Sequence, residues 1–228
     1  MDILFQDARA IAVHKPAGQL VIPGRGETQG LCLKDECALA VGAPVFVVHR
    51  LDRETSGVVL FAKDPAAHRF LCGAFEKRLV KKEYWAAVDG HPSPATGAVT
   101  SSLREYGSGR VAPDPKGKPC RTEYATLARW PGGALLNVFP VTGRRHQIRA
   151  HLNDIQHPLL GDPFYGPPPR PVGGVPQLML HARTLSFPHP DGGTRSVTCE
   201  PPDEFFLNLN VVSKSQIVYL ETGRAHTL

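Results

Sequence analysis

The segment His49-Arg50-Leu51-Asp52-Arg53-Glu54-Thr55-Ser56-Gly57 sets two arginines on either side of one aspartate. Apolar runs precede and follow it, at Val45 to Val48 and Val58 to Phe61, so it reads as a loop held between two strands. A guanidinium beside a sheltered carboxylate favours the ionised form. Such a carboxylate can serve as a nucleophile or as a base at a carbon centre. The same pattern also fits a surface turn with local ion pairs, which are common and weak.

A second segment, Val141-Thr142-Gly143-Arg144-Arg145-His146-Gln147-Ile148-Arg149, leads into helical spacing. Ile148, Leu152 and Ile155 recur at i, i+4 and i+7, which predicts a helix over 144–154 with Arg144, Arg145 and His146 at its front. A helix N-terminus offers free N–H groups and a positive dipole end. With two guanidiniums added it suits an anion, either a phosphate or a carboxylate such as Asp52. The alternative is a solvated basic first turn.

Rigid elements must carry these segments. Short β-branched or aromatic runs predict strands at 11–13, 45–48, 58–61, 84–88, 122–127, 134–139, 178–185 and 196–199. Asp64-Pro65 is an N-cap followed by proline at the first helical position. Behind it Phe70, Leu71, Ala74, Phe75 and Leu79 predict one apolar stripe along a helix over 65–79. A short helix is expected from Asp203 to Leu209. Residues 105–119 and 162–177 are rich in Gly, Pro, Lys or Ser and read as long loops. Many strands with a few interspersed helices give an α+β fold. The expected organisation is one domain over 1–209 and a polar tail over 210–228, read as mobile.

Composition narrows the function. The chain has 228 residues, 42% of them hydrophobic and 21% charged, which excludes wholesale disorder. No run approaches the roughly 18–20 apolar residues a membrane helix needs, and the first residues do not read as a secretory signal. A cytoplasmic protein without membrane contact follows as the expectation. The 26 basic residues outnumber 21 acids, and arginine, whose fork suits phosphate, leads lysine. The cysteines, 32, 37, 72, 120 and 199, are odd in number and form neither a disulfide framework nor a zinc pattern. His146 and His151 would lie about 140° apart on a helix, a poor metal face. No metal is expected.

The segment His49 to Gly57 resembles the signature of the RluA-type pseudouridine synthases, His-Arg-Leu-Asp, a variable pair, then Thr-Ser-Gly. Other family motifs follow in order. They are His14-Lys15-Pro16-Ala17-Gly18, Lys82-Glu83-Tyr84 with Val88-Asp89-Gly90, and Thr142 to Arg149 followed by His157-Pro158 and Gly161 to Gly166. Leu180-His181-Ala182 with Phe187-Pro188-His189-Pro190 completes the series, and the match covers roughly 1–205. Several ordered motifs in one chain are far more specific than any single one.

The resemblance implies a mixed, mostly antiparallel central sheet with flanking helices and a cleft across it. It makes Asp52 the catalytic aspartate, Arg144 its guanidinium partner and Tyr84 the ring that lies against uracil. Arg50 would help displace the target base, with Ile148 and Leu180 as apolar neighbours. The reaction breaks N1–C1′, turns the base over and joins C5 to C1′. It needs no redox change or group donor, so no cofactor is expected. An aromatic face can retain the detached base by stacking, and a base in folded RNA must first be flipped out. Phosphates would meet basic residues, with Arg53, Lys77, Arg78, Lys81, Lys82, Arg145 and Arg149 as candidates. The expected partner is structured ribosomal or transfer RNA, with no obligate protein partner and a monomeric chain.

Two features depart from the family pattern. Gln19 stands where an apolar residue is usual, and the first motif starts so close to Met1 that no N-terminal S4-like domain is expected. Two other readings stand beside the synthase. One is an RNA-binding protein that kept the scaffold and lost the reaction. The other is a glycosidase-like hydrolase, which would need two carboxylates set across a bond, with Glu54 as the second.

Overall fold

The structure, a computed structural model, describes residues 1–24, 30–168 and 172–207. In chain order the strands and helices are β1 (Asp2–Gln6), β2 (Ala10–Lys15), α1 (Leu33–Val41), β3 (Phe46–Val47), β4 (Ser56–Ala62), α2 (Pro65–Glu76) and β5 (Lys81–Asp89). There follow β6 (Thr96–Glu105), β7 (Val111–Pro113), β8 (Lys118–Trp130), β9 (Gly133–Pro140), α3 (Gln147–Asp154), β10 (Leu180–Pro188), β11 (Thr194–Thr198) and α4 (Asp203–Leu207). The chain divides into two compact units. The first holds Met1–Glu83 and His181–Glu200; the second holds Tyr84–Leu180 and the segment from Pro201.

In the first unit β1, β2 and β4 are antiparallel neighbours, and β10 pairs parallel to β4 through His181–Ser56 and Ala182–Gly57. The short β3 pairs with the far end of β4, and β11 runs antiparallel to β10. Every residue of β4 is buried, as its unbroken apolar run requires. Gly57 matters at the parallel pairing: its φ is +121°, and a Cβ there would lie 2.2 Å from the Ala182 carbonyl oxygen. Only glycine lets the two backbones approach so closely. Helix α2 starts as expected, with the Asp64 carboxylate accepting from Ala66 N and Ala67 N. Ala67, Leu71 and Ala74 are its buried residues, and they join Ala10, Ala12, Val58 and Leu60 in one core.

The second unit is an antiparallel sheet in which β5, β9, β8, β6 and β7 are successive neighbours. Helix α3 contributes Ile148 and Leu152 to a core with Ala86, Val88, Leu136, Val138 and Tyr124. A second core, around Trp85, Trp130 and Leu135, takes Phe205 and Phe206 from α4.

The α+β class and the mostly antiparallel pairing agree with expectation, and several boundaries do not. Helix α2 ends at Glu76, because Arg78 turns left-handed at φ 59°. Leu79 therefore falls outside the stripe and is exposed, as is Phe70. Helix α1 has no counterpart in the sequence reading: only Leu33 and Cys37 are buried on it, too thin a stripe to stand out. Residues 105–119 are not one long loop. They comprise the end of β6, β7 and the start of β8, joined by tight turns at 106–110 and 114–117. Strands β1, β6 and β7 escape the pattern reading because they are short or built from Ser, Thr and Gly. The described part of 162–177 holds a single 3-10 turn, Val172–Gly174, and the tail expected over 210–228 lies outside the described residues.

Candidate active site

In the first unit Asp52 sits on the loop between β3 and β4, half-buried, with its carbonyl accepting from Thr55 N at 3.2 Å. Three anchors hold this loop. His49 accepts the Leu60 N–H through Nε2 at 3.0 Å and stacks on Phe75 at 4.8 Å. Leu51 is buried. The third anchor is Lys15, whose side chain is fully buried. Its ammonium donates to the carbonyls of Pro16 (2.9 Å), Gln19 (2.7 Å) and Arg53 (2.9 Å).

The Arg53 carbonyl also accepts from Gly18 N at 2.8 Å, and Arg53 Nε returns a bond to the Gly18 carbonyl at 3.1 Å. The loop after Asp52 is thus stitched to residues 15–19. Burial lowers the Lys15 pKa to about 8, while the Glu54 and Asp52 carboxylates oppose the drop. Lys15 therefore lies in the field of the aspartate. The sequence reading included Lys15 in a motif and gave it no role; nothing in its surroundings announces that a lysine there is buried.

Arg50 is exposed at the start of the loop. Lys82, on β5, is half-buried, and burial lowers its pKa to about 8. Behind the loop Ser56 Oγ lies 2.8 Å from His181 Nδ1, and His181 Nε2 lies 2.8 Å from the Cys199 carbonyl oxygen. The carbonyl can only accept, so His181 carries its proton at Nε2 and its Nδ1 accepts a hydrogen bond from the Ser56 hydroxyl.

The second unit brings Tyr84, Ile148 and Leu180 to one apolar cluster, with Tyr84 only partly buried against it. Arg144 and Arg145 do not open the helix, as the spacing suggested. They belong to a turn before α3, which starts at Gln147 after a left-handed His146 (φ 50°). The reason is the Gln147 side chain. Its Oε1 accepts from Thr142 Oγ1 (2.6 Å) and Arg144 N (3.0 Å), and its Nε2 donates to the Arg121 carbonyl (2.9 Å) and Thr122 Oγ1 (3.0 Å). All four hydrogen-bonding positions of this buried amide are used. The network continues from Thr122 Oγ1 to His151 Nδ1 (2.8 Å) and from His151 Nε2 to Ser101 Oγ (3.1 Å).

Arg145 is exposed and paired with Glu105. Arg149 requires a correction. Its side chain is 0% exposed and forms two 2.8 Å bonds with the equally buried Asp162. It cannot reach a phosphate from there. Asp162 Oδ1 also accepts from Phe164 N and Tyr165 N, so the pair ties α3 to the following loop. Removing one partner of such a pair costs about 3–5 kcal/mol, because the other is left buried and uncompensated.

Among the described residues no cluster of His, Cys, Asp and Glu could hold a metal, and no helix is long and apolar enough to cross a membrane.

Residues 9–154 match the family model described as RNA pseudouridylate synthase. The chain belongs to this family. Over 212 residues it is 40% identical to the dual-specificity RNA pseudouridine synthase RluA of Escherichia coli strain K12, covering 89% of this chain and 93% of that protein. Human RNA pseudouridylate synthase domain containing 4 shares the fold with a TM-score of 0.76, at 28% identity over 92% of both chains. Human RNA pseudouridylate synthase domain containing 1 has a TM-score of 0.75 at 22% identity, covering 99% of this chain and 96% of that one. The chain is an RluA-type pseudouridine synthase, an isomerase acting on RNA.

The buried histidines set an acid limit on the fold. Burial lowers the pKa of His151 and His181 to about 4 and that of His49 to about 3, from the ordinary 6.5. Below pH 6.5 the unfolded chain binds protons that the folded chain refuses, so stability is full above 6.5 and falls as pH drops toward 4. Each histidine contributes a slope of up to about 1.4 kcal/mol per pH unit in that window. Urea titrations at pH 7, 6 and 5 should show the midpoint falling, and His151→Asn should reduce the slope by one proton's worth.

Proposed function

We propose that this synthase isomerises uridines in structured ribosomal or transfer RNA, with residues 1–209 as the catalytic domain and Asp52 as the carboxylate that carries the reaction. The observation that carries this reading is the stitched loop: a half-buried aspartate whose backbone is fixed on both sides, with a buried ammonium in its field. Such preorganisation is what a reaction at one sugar carbon requires.

The bonds balance without a co-reactant. N1–C1′ breaks, C5–C1′ forms, the C5 proton leaves and N1 gains one. Asp52 serves either at the sugar or at the ring. Arg144 is assigned as the guanidinium partner of that carboxylate. Tyr84, partly exposed above an apolar bed that includes Ile148 and Leu180, holds the freed base by its ring face. Arg50 helps displace the base, and Arg53, Arg145 and Lys82 serve the RNA backbone. Arg149 leaves that group for a structural role. Neither the inactive scaffold nor the hydrolase is favoured by any observation. The reading places the chain in the cytoplasm, as a monomer.

The test of the first role is Asp52→Asn. Its kcat should fall at least about a thousandfold, while melting temperature and RNA affinity stay near wild type. Tritium release from C5-labelled uridine in RNA is the assay, and a variant that still turns over normally would remove Asp52 from the mechanism. Tyr84→Phe should outperform Tyr84→Leu by about fivefold or more, the worth of one stacked base.

Gln147 holds the Arg144 backbone, so its effect should run through Arg144. Gln147→Ala is expected to lower kcat about tenfold in wild type and less than twofold in an Arg144→Ala background. Additive losses would place its contribution elsewhere in the network.

A further inference from the structure

The second unit contains a surface cavity of about 360 Å³, lined by Arg104, Glu105, Lys116, Lys118, Arg144 and Arg145 among others. Five of these six charges are positive. Two are already answered within the unit: Arg145 pairs with Glu105, and Arg104 lies 3.3 Å from Asp114. Lys116 and Lys118 are exposed, and no described carboxylate pairs with either.

The backbone that carries the lysines is held in place. Lys116 N donates to Asp114 Oδ1 at 2.8 Å, and Gly117 N closes the turn onto the Asp114 carbonyl at 2.8 Å. Gly117, between them, lies so close to β6 that a Cβ would come within 2.4 Å of the Leu103 carbonyl carbon. Lys118 then enters β8 opposite Leu103. The turn thus fixes the points from which the two lysine side chains leave the backbone. A concave site lined by one sign of charge concentrates its field on an anion.

We propose that this cavity holds two backbone phosphates of the RNA that flank the target uridine, bound by Lys116 and Lys118 beside the Arg144 turn. The proposal rests on the synthase reading, since it gives the same RNA a second point of attachment. Polyanionic RNA fits better than an acidic protein segment because the chain's activity already brings RNA to it.

The experiment measures affinity for unfractionated transfer RNA against salt. It compares the wild type, Lys116→Gln/Lys118→Gln, and an equal-charge control, Arg69→Ala/Arg195→Ala, which removes two exposed arginines outside the cavity. Two lost phosphate contacts should flatten the slope of log affinity against log salt by about 1.4–1.8. The affinity difference between wild type and lysine variant should then shrink about eightfold between 50 and 200 mM salt. The arginine control should keep the wild-type slope, and circular dichroism should show both variants folded. If glutamine disturbs the turn, Lys116→Ala alone should flatten the slope by about half as much.

An unchanged slope in the lysine variants overturns the proposal. So does polyglutamate that binds the wild type as tightly as transfer RNA and is lost in parallel, because the cavity would then accept any polyanion. Tritium release by the wild type separates the two readings. Activity with an unchanged slope sinks the cavity alone, whereas no activity on any cellular RNA sinks the synthase reading.

Discussion

One fully buried ammonium group governs how the aspartate loop is built. Lys15 makes three bonds to carbonyl oxygens, one of them from the residue next to Asp52. Burying a charge is costly unless it is paired and hydrogen-bonded. Three carbonyl dipoles and the nearby carboxylates of Asp52 and Glu54 provide that compensation. The cost is what makes the arrangement specific: any movement of the Arg53 carbonyl would leave the ammonium short of a partner. The Asp52 carboxylate is thereby held on a fixed backbone while staying only half-buried.

The second unit solves the same problem with neutral groups. The Gln147 amide satisfies two donors on one side and two acceptors on the other, so the turn bearing Arg144 has little freedom. Thr122 passes this order to His151, which remains neutral because burial disfavours its charged form. A fully satisfied buried network is stiff, and each member depends on its neighbours. Arg149 and Asp162 add a charged version of the same device, fixing the loop that supplies Tyr165 to β7 through its hydroxyl.

These devices explain why type alone misjudged some residues. Arg149 and Arg145 look equivalent along the chain, yet one is sealed in an ion pair and the other exposed. Arg144 reads as the first turn of a helix until the Gln147 side chain is seen to claim its N–H. Lys116 and Lys118 fall in the segment read as a loop, and the structure makes them part of a cavity wall. In each case the deciding contact joins residues that are distant in sequence or depends on which way a side chain points.

The order of short motifs along the chain already determined the family and the reaction. Their residue types are set by chemistry that tolerates few substitutes. The strong periodic signals, the run at 58–61 and the capped helix after Asp64, were equally legible, because local pattern and local hydrogen bonding decide them. The tertiary structure alone decided which cations are buried and which are free. Burial is a property of what packs around a side chain, and a lysine or arginine carries the same letter in a core, in an ion pair or on the wall of an open cavity.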